Sequence, residues 1–231
     1  MKTEEVLRVE HLRKQYKKSR TVLKDVSFTL EAGTATALVG PLGAGKTTLF
    51  RILAGTAFPD AGNISLFESS SEKELRKARQ QVGFLVDKAF GENTLNVEKN
   101  LCLLAGLYGK PDIRYIRHLM KQLKLTERDV GSKRLSTLIR PVQARYALAT
   151  ALVHKPRLLV LDEPLANLHT DDMDMVFSLL SELKEEGTTM LLSGQGANLL
   201  NKLCSQTLTL NEGVMTRSKL LTEVENNESA E

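Results

Sequence analysis

The run Gly40-Pro41-Leu42-Gly43-Ala44-Gly45-Lys46-Thr47-Thr48 constrains this chain more than any other stretch. It follows Thr34–Val39, which reads as a strand buried on both faces, and it leads into Thr47–Ala54, which reads as the helix that the loop opens. Glycines at such spacing let backbone N–H groups turn inward around phosphate oxygens, and the helix N-terminus adds positive potential. Lys46 supplies a point charge for the outer phosphates, and the Thr47 hydroxyl suits Mg²⁺. Gly40, Gly43, Ala44, Gly45, Lys46, Thr47 and Thr48 are therefore the expected phosphate cradle.

A second motif fits the first. Leu158-Leu159-Val160-Leu161 reads as a fully apolar strand, and it ends on Asp162-Glu163-Pro164. Open α/β sheets bind ligands beyond the carboxyl ends of their strands. Asp162 there is placed to hold Mg²⁺ through its water shell, and Glu163 to orient and deprotonate an attacking water.

The rest of the chain reads as one α/β domain with additions. With 231 residues, 42% of them hydrophobic, it buries a core without staples, and Cys102 and Cys204 show no metal or redox spacing. No window reaches the roughly 18 apolar residues of a membrane helix, and the N-terminus lacks the apolar core of a signal peptide, so a cytoplasmic location is expected. The net charge of +4 is spread along the chain, which gives no argument for nucleic acid. The densest basic stretch, Arg13-Lys14 with Lys17-Lys18 and Arg20, reads either as a face for an anionic membrane or as a solvated turn between strands.

Short apolar and polar alternations over residues 6–39 predict a small antiparallel sheet, and Ile64–Phe67 a further short strand. Helical spacing from Leu95 to about Leu152 predicts an inserted helical lobe. Met173–Lys184 reads as a helix and Thr188–Leu192 as a buried strand, so the core resumes after the lobe. The expected organisation is a core with its antiparallel β lobe over about 1–86 and 153–210, a helical subdomain over about 87–152, and a disordered acidic tail over 211–231.

Phosphate loop, helical lobe and a strand ending in Asp-Glu-Pro, in that order, resemble the ABC ATPase domain, the ATP-binding subunit of ABC transporters, over nearly the whole chain. The resemblance implies a mixed sheet flanked by helices, Mg-ATP as ligand, a head-to-tail dimer with a like or unlike ABC domain, and a separate membrane permease as partner. Tyr16 stands where the family keeps an aromatic that stacks on adenine; a strand tyrosine packing on the small sheet is the other reading.

Several positions depart from the family pattern. The signature Leu-Ser-Gly-Gly-Gln, counted back from Asp162, falls on Leu138-Ile139-Arg140-Pro141-Val142, where only the leucine is kept. The family's glutamine after Val82-Gly83-Phe84-Leu85-Val86 is Asp87, an acidic replacement seen in bacterial exporter-like subfamilies and a candidate metal contact. The loop aspartate after Glu163 is His169, read as a surface or partner-contact residue, and the histidine after the last core strand is Gln195. Gln195 still donates a hydrogen bond to a γ-phosphate oxygen but is never charged. The resemblance thus implies an ATP-binding subunit that couples hydrolysis, slowed by these changes, to export, or alternatively a regulatory nucleotide binder with little turnover.

Overall fold

The computed structural model describes residues 4–16, 20–87, 91–127, 130–131, 133–166, 168–194 and 202–219. In chain order the strands are β1 (Glu5–Tyr16), β2 (Arg20–Glu31), β3 (Ala35–Val39), β4 (Ala61–Leu66), β5 (Val82–Leu85), β6 (Leu158–Leu161), β7 (Thr189–Ser193), β8 (Gln206–Asn211) and β9 (Val214–Lys219). The helices are α1 (Lys46–Ala54), α2 (Glu72–Ala78), α3 (Val97–Gly106), α4 (Ile113–Gln122), α5 (Arg140–Leu152) and α6 (Thr170–Glu185).

Among the described residues these strands form one mixed sheet in the order β4-β1-β2-β9-β8-β3-β7-β6-β5. β1 pairs antiparallel with both β2 and β4, whereas β8, β3, β7, β6 and β5 run parallel. Period-two alternation sends the side chains of the parallel strands to opposite faces, and both faces are covered. Leu159, Leu161, Met190 and Leu192 pack with α3, α4, α5 and α6. Leu158, Val160 and Leu191 pack on the other side with Leu49, Phe50, Ile52 and Leu53 of α1 and the antiparallel lobe. Burial on both faces is why β6 carries four consecutive apolar residues, each contributing about 2 kcal/mol when fully removed from water.

Three differences from the sequence reading have local causes. The charged, serine-rich stretch from Glu68 to Arg79, which reads as no regular element, contains α2, started by a capping box in which Ser71 Oγ accepts from Glu74 N–H while the Glu74 carboxylate accepts from Ser71 N–H. The strand expected at Ile64–Phe67 begins at Ala61 and stops at Leu66, because Phe67 and Glu68 take positive φ of 49° and 64°. The acidic tail begins later than residue 211, since Val214–Lys219 is β9, paired antiparallel with β8. Glu212 and Gly213 both have positive φ, 46° and 78°, which is the geometry of a tight hairpin turn. Residues 220–231 of the expected tail lie outside the described residues.

Candidate functional site

Strands β3, β5, β6 and β7 end at one edge of the sheet, and each delivers a polar group there. β3 runs into the glycine loop, β6 is followed directly by Asp162, β7 ends on Ser193, and Asp87 lies just beyond β5.

Gly40, Gly43 and Gly45 have φ of 153°, 80° and 109°. A Cβ on Gly40 would stand 2.0 Å from the Leu210 carbonyl oxygen, and one on Gly45 would stand 2.9 Å from Leu23 Cδ2. Close approach and backbone conformation together demand glycine at both positions. α1 then starts at Lys46 with no side chain capping its first turn, which leaves N–H donors for an anion.

Lys46 is nearly buried and folds its ammonium back on the loop, donating to the carbonyls of Gly40 at 2.6 Å and Pro41 at 3.1 Å. Phosphate oxygens carry full negative charge and outcompete neutral carbonyls for an ammonium. Thr47 Oγ1 donates to Asp162 Oδ2 at 2.6 Å, joining the loop to the end of β6. Ser193 Oγ donates to the other carboxylate oxygen, and Glu163 N–H donates to Ser193 Oγ at 3.0 Å. Glu163 takes φ of 49°, so the chain turns sharply as it leaves the strand. Hydroxyl and carboxylate oxygens in contact beside a helix N-terminus suit Mg²⁺, which prefers oxygen ligands and keeps several of its waters. Thr47 and Asp162 are the residues that would hold it.

Asp87 is held elsewhere: Arg51, one turn along α1 from Thr47, donates to both of its carboxylate oxygens. The Arg51 bond keeps the Asp87 carboxyl below its ordinary pKa, and Asp87 raises that of Arg51, with a smaller contribution from Tyr16. The structure therefore gathers Tyr16, Arg51 and Asp87 beside α1. Tyr16 ends β1, 39% exposed, with Lys14 Nζ 5.3 Å from its ring centroid. A cleft of about 270 Å³ lies between the loop and the β8–β9 turn, lined by Thr21, Val22, Lys24, Gly43, Ala44, Glu212 and Gly213.

Gln195 lies outside the described residues. Ile139 is the N-cap of α5, 68% exposed and without a capping bond, followed by Arg140 and Pro141 in the first turn. His169 is the exposed N-cap of α6, also without a side-chain cap.

The sequence matches the ABC transporter family over residues 23–166. The chain belongs to that family. Relatives of this ABC ATP-binding subunit include the linearmycin resistance ATP-binding protein LnrL of Bacillus subtilis, 28% identical over 91% of this chain and 68% of that protein. The Nod factor export ATP-binding protein I of Burkholderia lata is 31% identical over 84% of this chain and 64% of that protein. The chain thus spans about two thirds of the length of these relatives. A solved structure of the ATP-binding subunit of an ABC transporter superposes with a TM-score of 0.84 at 26% identity, covering 93% of this chain and 90% of that one. ATP binding and hydrolysis are the chemistry of this family of domains. No helix among the described residues is long and apolar enough to cross a membrane.

Sequence reasoning assigned no role to Ser193 or Arg51. Each has a signal in hindsight: a hydroxyl closing the strand after three apolar residues, and a cation one helical turn from Thr47.

Proposed function

We propose that this ABC subunit binds Mg-ATP and couples its hydrolysis to a separate membrane permease, working at the cytoplasmic face of the membrane in the direction of export. The observation that carries the reading is the 2.6 Å contact between Thr47 and Asp162, which joins the phosphate loop to the acidic strand end at a single locus. Export is supported by the names of the two relatives, one a resistance protein and one an export protein.

In this reading the phosphates of ATP enter over the glycine loop, and Lys46 exchanges the Gly40 and Pro41 carbonyls for β and γ oxygens. Mg²⁺, which Thr47 and Asp162 would hold, would supply positive charge to offset the negative charge developing on the phosphates. Glu163 takes a proton from a water whose oxygen attacks the γ phosphorus. The bond from that phosphorus to the bridging oxygen breaks, releasing ADP and inorganic phosphate. A second ABC domain, from a like or unlike chain, closes over the nucleotide, and reopening after hydrolysis is passed to the permease as a population shift.

A second reading, a regulatory binder with little turnover, is favoured by α5. Its N-terminus presents Ile139 where a hydroxyl would face a phosphate, and Pro141 in the first turn has no N–H to give.

Steady-state ATP hydrolysis by the purified chain at saturating Mg-ATP separates the two, with Lys46→Ala and Glu163→Gln as blanks and nucleotide binding followed in parallel. Turnover abolished by both changes is the expected result for the motor subunit. Binding without turnover favours one half of an unlike pair awaiting its partner, or the regulatory reading, and absence of binding overturns both.

A further inference from the structure

Ser193 closes β7 with 0% of its surface exposed, so no water competes for its hydroxyl. A serine hydroxyl has one proton and two lone pairs. The proton goes to Asp162 Oδ1, which leaves the oxygen to accept the Glu163 N–H at 3.0 Å. That N–H needs an acceptor: the last backbone bond of β6 with β5 is Asp162 N–H to the Leu85 carbonyl at 2.7 Å, and Glu163 then leaves the ladder with φ of 49°. A non-glycine residue in this conformation persists only where its surroundings hold it.

The same hydroxyl therefore fixes two acidic residues. Asp162 accepts from two hydroxyls, Thr47 on one oxygen and Ser193 on the other. When the Thr47 oxygen turns to a cation, its proton is withdrawn from Asp162, and Ser193 is the side-chain donor that remains. We infer that Ser193 is a positioning residue that orients the Asp162 carboxylate towards the metal position and locks the backbone turn from which the Glu163 side chain departs. Being fully buried, it acts through these two neighbours. The inference rests on the nucleotide-site reading of the preceding section.

The test compares Ser193→Thr, which keeps the hydroxyl, with Ser193→Val, which has the same shape without it, and with Ser193→Ala. Binding of a fluorescent, non-hydrolysed ATP analogue is titrated with Mg²⁺ and repeated in EDTA, and turnover is measured where present. The Val and Ala variants are expected to need about tenfold more Mg²⁺ for half-maximal binding and to lose kcat about 10- to 100-fold, with the EDTA affinity unchanged. Ser193→Thr is expected to stay within about threefold of wild type. Wild-type Mg²⁺ dependence in Ser193→Val overturns the role of Ser193 alone, and so does a Thr variant as impaired as the Val variant. A wild-type chain that binds no analogue overturns the nucleotide-site reading and this inference with it. A wild-type chain that binds without turning over leaves the Mg²⁺ titration to decide.

Discussion

Arg51 clasps Asp87 through two hydrogen bonds, Nε to one carboxylate oxygen at 2.8 Å and Nη2 to the other. The pair ties α1, which begins at the phosphate loop, to the segment that leads from β5 towards the helical lobe. Both side chains are about half exposed, so the pair adds about 1 kcal/mol or less to stability. A link of that strength is well suited to being exchanged. If Asp87 serves the metal, as the sequence suggests, Arg51 must first release it.

Arg51→Met is therefore expected to lower the Mg²⁺ concentration for half-maximal nucleotide binding by about two- to fivefold, the ratio that corresponds to roughly 0.4–1 kcal/mol. Adding Asp87→Asn should cancel the gain. An unchanged Mg²⁺ requirement in Arg51→Met would remove Asp87 from the metal site and leave it as a strut between α1 and β5.

The elements legible in the sequence were those whose signal is local or strongly periodic. The loop at 40–48 carries its own backbone demands, and β6 is apolar on both faces, so neither needed tertiary information. What escaped depended on contacts distant in sequence. Ser193 reads as the residue just past the Thr188–Leu192 strand until β6 and β7 are paired, Leu161 against Leu192, which sets its hydroxyl beside Asp162. The Arg51–Asp87 pair spans 36 residues and follows only from the order of α1 and β5 around the sheet. α2 and β9 were legible but unread: Ser71 with Glu74 is a capping box, and Glu212-Gly213 is a turn between two short alternating segments.

That turn gives a stability prediction. Gly213 has φ of 78°, and a Cβ there would stand 2.6 Å from the Val22 carbonyl oxygen. Its own carbonyl accepts from Lys24 N–H at 2.8 Å, so the turn also splices the antiparallel lobe to the core sheet beside the single β2–β9 pairing. Gly213→Ala combines left-handed strain with a backbone clash and should destabilise by about 2–3 kcal/mol in urea unfolding. A midpoint unchanged from wild type would mean that the turn takes another form.

His154 makes stability depend on pH. Its ring stacks on Tyr108 with centroids 3.9 Å apart, and burial lowers its pKa, partly offset by the Val82 carbonyl 3.3 Å from Nε2. With the folded pKa depressed, the unfolded chain binds the extra proton first as pH falls. This contribution is intact above the unfolded value of about 6.5 and is lost as pH drops from there through the folded pKa. The difference in stability between wild type and His154→Phe should therefore shift against wild type between pH 7 and pH 5. A pH-independent difference would show that the imidazole titrates alike in both states.

Gln195 gives a prediction about rate. By the family resemblance it would offer a neutral N–H to a γ-phosphate oxygen, where an imidazole matches the developing charge better. Gln195→His is expected to raise kcat about tenfold, equivalent to about 1.4 kcal/mol of transition-state stabilisation, with KM little changed. A variant no faster than wild type would show that slow turnover, where observed, has another source.

The start of α5 is the candidate for that other source. Replacing Ile139, Arg140 and Pro141 by Ser, Gly and Gly restores a capping hydroxyl and two N–H-bearing residues small enough for close approach. Glycines in a first turn weaken a helix, but α5 is anchored by buried Val142, Tyr146, Leu148 and Ala149, so the fold should survive. If two copies of this chain face each other, each phosphate loop gains a partner that caps its nucleotide, and turnover of the purified chain should rise at least tenfold. If the physiological partner is a different ABC domain with an intact signature, this loop is already served by that partner. Turnover at this chain's own loop in the mixed pair should then be unmoved by the triple change. Measuring both assemblies, the chain alone and the chain with its partner, separates a self-paired motor from one half of an asymmetric pair.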